Sequence, residues 1–315
     1  MRKVYDMDLM LREYRANRLE VRGQLVSLLG IGEMDGYNPS NPISDGRYPR
    51  VYVRVEPRDM EFATWSVPFR QLEADRWEME SDIPMLRLQD PFAATIHGTL
   101  VVGGVRILSK LRDEVVWETV LLKGDSPSHL QEFARSPEYM KDVRLAQLED
   151  GRIGVFTRPW GTEANSRQIG YQEVDGLGEV AGAMATAPVL ETQPVEGQWW
   201  GANAVYVLGN GKLGVLAHIA KWEGTRRRYY PIAFVFDRVS RAIVHGPHIV
   251  ADRSCFPAYE PKLPDLGDVI FPAWIDREKG LFFGGLSDTA IGVMPLDDPF
   301  RAWDSSVLED RATAS

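Results

Sequence analysis

The sequence predicts an all-β chain folded as a five-bladed β-propeller with a short N-terminal helix. Three observations predict it. The apolar runs are short, rich in β-branched residues and bounded by Gly, Asp, Asn or Pro, as strands are. A glycine turn followed by an apolar strand recurs in "HGTLVVGGVRI", "EDGRIGVFTRPW", "GNGKLGVLAHIAKW" and "REKGLFFGGLSD". Its glycines, Gly98, Gly151, Gly211 and Gly280, recur at roughly the ~50-residue length of a four-stranded blade. Each turn follows another strand with a polar start: "LQDPFAATI", "KDVRLAQL", "WWGANAVYVL" and "DVIFPAWI".

Taken in order, residues 5–22 carry the only sustained helical pattern and are expected to cap one face. The first repeat is more divergent, with "YNPSNPI" and "RVYVRVEPRD" as its opening strands. Five units result, roughly residues 23–80, 83–137, 138–193, 197–255 and 265–300, within one domain spanning 1–315. A single blade cannot bury both faces, so blades stack around a channel with each first strand nearest the axis. Polar residues at five inner-strand starts then converge at one mouth. A β-sandwich with fortuitous spacing is the competing architecture.

Composition narrows the function. The chain has 315 residues, 44% of them hydrophobic, and a net charge of −9. That balance disfavours nucleic-acid or anionic-membrane partners, which need a basic surface. Cys255 is the only cysteine, so an internal disulfide and a thiolate metal site are excluded and a reducing compartment fits. The opening "MRKVYDMDLMLREY" lacks the apolar run of a signal peptide, and no window is long enough to span a membrane. A cytoplasmic location is expected. HExxH, CxxC and GxSxG patterns are absent. "VLGNGKLG" is a hairpin turn rather than a phosphate loop, so no metal or cofactor is expected.

The polar inner-strand positions supply the candidate site. Asp90 in "RLQDPFAATI" is expected to be partly desolvated among Leu88, Pro91 and Phe92, which raises a carboxyl pKa and suits a proton donor. A turn-forming Asp before Pro is the structural alternative. Lys141, Arg144, Arg158 and His218 can form an anion pocket, or else pair singly with Asp142, Glu149 or Glu163. His218, alternating with apolar neighbours, also reads as a satisfied core histidine. Asn38, Asn41, Arg54, Glu56, Arg58, Asp59, Arg106, Asn203, Asp268 and Asp288 are further polar candidates. Of nine tryptophans, Trp160, Trp199, Trp200 and Trp222 are candidates for stacking on sugar rings, against core packing as the alternative.

Three strings taken together, "YNPSNPI…RVEPRD", "LQDPFAATIHGTLVVGGVRI" and "WWGANAVYVLGNGKLGVLAHIAKW", resemble the mannosyltransferase/phosphorylase family of β-1,2-mannan (mannogen) metabolism, glycosyltransferase family 108. The ending "GDVIF…GGLSD…DDPF" agrees, and the resemblance covers roughly residues 20–300. That family is similar to the five-bladed β-mannoside phosphorylases of glycoside hydrolase family 130. The resemblance implies an inverting enzyme that adds mannose from GDP-mannose or mannose 1-phosphate to a β-1,2-mannose chain. In reverse it cleaves β-1,2-mannooligosaccharides with inorganic phosphate to mannose 1-phosphate. It implies Asp90 as general acid, Lys141, Arg144, Arg158 and His218 as phosphate ligands, and Arg54 and Asp288 as partners of mannose hydroxyls. Asn41, Asp142, Trp200 and Asn203 complete the expected sugar-contacting set. "QDP" departs from the "EDP" usual in the phosphorylases, which leaves the subclass open. An inverting glycosidase on the same scaffold, with Asp142 as base, and a propeller that only binds glycan are the alternatives.

Overall fold

The computed structural model describes residues 4–44, 48–60, 62–111, 114–160 and 167–305. The chain is mostly β. Sheet 1 contains Ser27–Leu29, Asp35–Tyr37, Arg50–Glu56, Trp65–Glu73 and Arg76–Met79. Sheet 2 contains Gln89–Ile96, Thr99–Leu111, Glu114–Gly124 and Gln131–Arg135. Sheet 3 contains Met140–Gln147, Ile153–Pro159 and Gly170–Val174. Sheet 4 contains Gln198–Gly209, Lys212–Glu223, Arg226–Asp237 and Ala242–Ile249. Sheet 5 contains Asp268–Asp276, Leu281–Leu286 and Ala290–Pro295. Sheets 4 and 5 touch through a short parallel pairing at Arg228↔Asp268 and Tyr229↔Val269.

The expected hairpin turns are where the repeat puts them. His97 and Gly98 both have positive φ (50° and 75°), as do Asn210 and Gly211 (51° and 70°). That is the primed-turn geometry whose twist matches the flanking strands. Arg50–Glu56 of sheet 1 touches Gln89–Ile96, and the opening strands of sheets 2 to 5 touch in succession, Gln89–Ile96, Met140–Gln147, Gln198–Gly209 and Asp268–Asp276. Asp35–Tyr37 closes the series against Leu281–Leu286 and Ala290–Pro295.

One pairing lay outside the sequence repeat. Gln24–Leu25, at the start of the expected first unit, pairs with Val293 and Gly292 and so completes sheet 5. The helix is also shorter than its pattern, Met7–Asn17 rather than 5–22. Asp6 caps it by accepting from the Asp8 and Leu9 amides at 2.7 and 3.2 Å. Its apolar stripe, Met7, Met10 and Leu11, is buried.

Apolar layers fill the spaces between consecutive sheets. Trp77 of sheet 1 stacks on Trp274 of sheet 5 at 5.9 Å, and Trp274 on Phe283 at 4.3 Å. Phe156 of sheet 3 packs on Phe236 of sheet 4. Val180, Ala183 and Met184, from the helix Val180–Thr186, cover sheet 3 where the other sheets have a further strand. Burying such side chains contributes about 1.5–3 kcal/mol each and leaves the opening strands to carry polar groups. Among the described residues no helix is long and apolar enough to cross a membrane.

Candidate active site

Strand pairing slips in four of the opening strands, at Gln89/Phe92, Lys141/Arg144, Ala202/Ala204 and Pro272/Trp274. Such bulges re-aim side chains. The first two centre on Asp90 and Asp142, both left-handed (φ 47° and 51°). Asn38 (φ 45°) and Asp288 (φ 55°) hold the same unusual conformation beside sheets 1 and 5. All four line one cavity of about 270 Å³. Non-glycine residues in this region cost free energy and cluster at functional sites.

Asp90 is gripped on two sides. Its Oδ1 accepts from Asn38 Nδ2 at 2.7 Å and from Arg54 Nη1 at 3.2 Å. Arg54 also pairs with buried Glu56 at 3.2 Å, and Glu56 bonds the Lys262 ammonium and the Tyr37 hydroxyl. The expected rise in the Asp90 pKa does not occur. Burial pushes its carboxyl up, but the charges of Arg54 and Lys141 and the bond from Asn38 outweigh it, leaving it below the ordinary carboxylate value. The sequence showed its apolar neighbours and hid its cationic ones. Asp288 is the carboxyl that is raised, to about 6, by burial above all and by Asp90 nearby, with Arg54 opposing.

The cations differ in how they are held. Asp142 bonds Arg158 Nε, and His218 Nε2 lies 3.6 Å from the same oxygen. Burial lifts the Asp142 carboxyl, but Arg158, His218 and Arg144 hold it below its usual value, as a carboxylate. Gly201 makes this possible, because a Cβ there would stand 2.1 Å from Asp142 Oδ2. Burial drives His218 down to about 3, so it is neutral at neutral pH. No described carboxylate pairs with Lys141, whose ammonium rests 4.7 Å from the centre of the Trp117 ring. Arg158 sits likewise 5.2 Å from the Trp160 ring.

The structure therefore brings Arg54, Asp90, Lys141, Asp142, Arg158, His218 and Asp288 into one cavity. Four residues of the expected phosphate- and sugar-contacting set, Asn41, Arg144, Trp200 and Asn203, are not among its lining, nor are the further candidates Arg106 and Asp268. Arg144 donates to the Asn203 and Val143 carbonyls at 2.6 and 2.8 Å and lines a separate cavity with Asn41. Asn203 acts one step back, its Oδ1 2.8 Å from His218 Nδ1. Trp200 is fully buried against Phe234 in the core. Arg106 pairs with Glu118 and Glu132, and Asp268 with Arg228. Glu149 binds the Gly211 amide rather than a site cation, and Glu163 lies outside the described residues. Sequence reasoning missed Gln89, Trp117, Arg227 and Tyr229, which also line the cavity. Nothing local distinguishes them from packing residues. Edge-to-face contacts join Trp117, Trp160, Trp199 and Tyr229, and a tilted contact between Tyr229 and His218 extends this aromatic wall. Among the described residues no group of three His, Cys, Asp or Glu could hold a metal ion.

The family model described as "Protein of unknown function (DUF1861)" matches residues 13–302. The chain is similar to a mannose phosphorylase from Leishmania mexicana solved in complex with phosphate ion, at 31% identity and TM-score 0.86, covering 94% of each chain. It is also similar to a GDP-Man-dependent mannosyltransferase from Leishmania mexicana, at 25% identity and TM-score 0.83, covering 94% of this chain and 96% of that one. A putative glycoside hydrolase from Parabacteroides distasonis shares the fold at 13% identity and TM-score 0.57, covering 84% and 87%. No curated protein matches in sequence.

Proposed function

The chain belongs to the DUF1861 family, and on that premise we propose that it is a glycosyl-transferring enzyme that moves mannosyl units to and from phosphate or a nucleotide donor. The similarity to a mannose phosphorylase and to a mannosyltransferase supports the class. The observation that carries the chemistry is one cavity holding Asp90 together with Lys141 and Arg158. The fold reading that goes with it is a single five-bladed propeller, supported by the closed succession of opening strands.

In phosphorolysis, phosphate sits against Lys141 and Arg158, with His218 behind. One of its oxygens attacks C1 of the terminal mannose while the glycosidic C–O bond breaks. Asp90 gives its proton to the departing oxygen, directly or through a sugar hydroxyl, and mannose 1-phosphate leaves with inverted configuration. Synthesis runs the same steps backwards, with Asp90 accepting the proton. Arg54 and Asp288 bind hydroxyls of the transferred mannose. The cations hold the nucleophile in line and stabilise charge developing in the transition state. The motif resemblance supports a β-1,2 linkage and inversion.

Asp90 is an ion-paired carboxylate in the free protein, so the acid must be charged with a proton before it acts. Phosphate supplies the reason: a dianion beside Lys141 opposes the cations that depress Asp90 and raises its proton affinity. A hydrolase would instead need a second carboxylate free to activate water. Asp142, tied to Arg158, is poorly placed for that, which favours phosphorolysis.

The test is incubation with β-1,2-mannooligosaccharides, with and without phosphate, and detection of mannose 1-phosphate. Phosphate-dependent release is expected. Release of free mannose at equal rate without phosphate refutes the reading.

A further inference from the structure

The hairpin that carries His218 continues past the cavity it helps to line. Its strands Lys212–Glu223 and Arg226–Asp237 pair His218↔Pro231, Ala220↔Tyr229 and Trp222↔Arg227. Opposed residues share a face and the side-chain period is two, so all six lie on one face. His218, Tyr229 and Arg227 line the cavity. Trp222 therefore lies on the same face as these three, about 13 Å beyond His218 at ~3.3 Å per residue. Its indole is 53% exposed, which is unusual for the largest apolar side chain in a protein whose Trp77, Trp199 and Trp200 are wholly buried. The Arg227 guanidinium lies 5.6 Å from its ring centre.

The groups at this end of the hairpin are polar but nearly balanced in charge. Arg227 Nε donates to Asp265 at 2.6 Å, and Arg228 pairs with Asp268 and Glu223, each at 3.1 Å. These residues and Arg226 line a further cleft of about 420 Å³, which shares Arg227 with the main cavity. Alternating donors and acceptors with little surplus charge suit a neutral polyol. A nucleoside diphosphate would need surplus cation. A flat, half-wet ring offers an apolar face for the C–H side of a sugar, with hydrogen-bonding groups at its edge.

We propose that Trp222, with the Arg227–Asp265 pair, forms an outer carbohydrate subsite that stacks a ring of the mannan chain beyond the unit being transferred. This rests on the mannosyl-transferring reading above. It gives the enzyme a preference for chains longer than the minimal substrate, without contact at the reacting atoms.

The test compares β-1,2-mannobiose with β-1,2-mannotetraose in phosphorolysis by the full chain and by Trp222→Ala. Trp222 is exposed, so the variant should fold. A tetraose KM raised about ten-fold, with the biose KM and both kcat values unchanged and with Trp222→Phe restoring most of the loss, is the expected result. An equal change for both lengths, or none, overturns the subsite while leaving the enzyme's function standing. A loss confined to transfer from GDP-mannose overturns it in favour of nucleobase stacking. Wild-type protein that neither cleaves nor binds either oligosaccharide, by calorimetric titration, overturns the functional reading and the subsite with it.

Discussion

Replacing Lys262 by Met probes the charge chain that ends on the proposed acid. Lys262 and Glu56 form a buried pair, with side chains 3% and 0% exposed. Glu56 in turn meets Arg54, and Arg54 meets Asp90, each at 3.2 Å. Breaking a buried pair by removing one partner costs about 3–5 kcal/mol. Here Glu56 keeps Arg54 and the Tyr37 hydroxyl, so the low end applies, about 3 kcal/mol. The electrostatic consequence reaches further. Removing a unit charge from about 10 Å away, the scale of an ammonium two ion pairs removed, costs a carboxylate about 1.7 kcal/mol of stabilisation at an effective dielectric constant of about 20. That is about one pH unit. The sign is fixed: losing a cation raises the pKa of Asp90. Phosphorolysis needs Asp90 protonated and so fails as pH rises through that pKa. The alkaline limb of kcat/KM for phosphorolysis should therefore move about one unit upward, and Lys262→Arg should leave it in place. The assay is mannose 1-phosphate release from β-1,2-mannobiose across pH, beside denaturant unfolding. A limb that stays put while stability falls refutes the coupling and leaves Lys262 a purely structural pair.

Three further outcomes follow from the same geometry. Asp90→Asn should lower turnover in both directions by about 10²–10⁴-fold while oligosaccharide binding persists in calorimetry; unchanged turnover removes Asp90 from the mechanism. Asp288 has a folded pKa near 6 from burial, so the folded state is penalised by about 3 kcal/mol once pH exceeds 6, and the penalty fades as pH falls towards 4. Asp288→Asn should therefore raise unfolding stability at pH 7.5, give little gain at pH 4, and lose mannose affinity; equal gains at both pH values contradict this. Phosphate binding at pH 7 should take up protons, seen as a binding enthalpy that varies with the ionisation enthalpy of the buffer, and no variation would show that the acid is not charged by its own nucleophile.

What was legible in the sequence was what local chemistry dictates. His97-Gly98 and Asn210-Gly211 announce hairpins because few residue pairs accept two positive φ angles. The polar starts of the opening strands and the polar positions of the second strands pointed to Asp90, Lys141 and His218, and these share a cavity. Side-chain direction was less legible. Strict alternation would put Lys141 on one face and Asp142 with Arg144 on the other. The bulge at Asp142 breaks that parity, so Lys141 and Asp142 both face the cavity while Arg144 turns to backbone carbonyls. Of the adjacent Trp199 and Trp200, one joins the aromatic wall and the other the core, a choice that only neighbouring sheets decide. Pairing between Gln24–Leu25 and Ala290–Pro295 depends on residues far apart in the chain, which no local pattern announces.

That last pairing dictates when the molecule can be finished. Leu25 pairs with Gly292, so the early strand must wait while the ribosome adds the intervening segment, some tens of seconds at about 5–20 residues per second. Until then its edge is open to any nascent neighbour, and assembly ends where it began. A pulse-labelled chain halted before Ala290 should remain protease-sensitive around Gln24, and resistance should arrive abruptly on completion of the final strand.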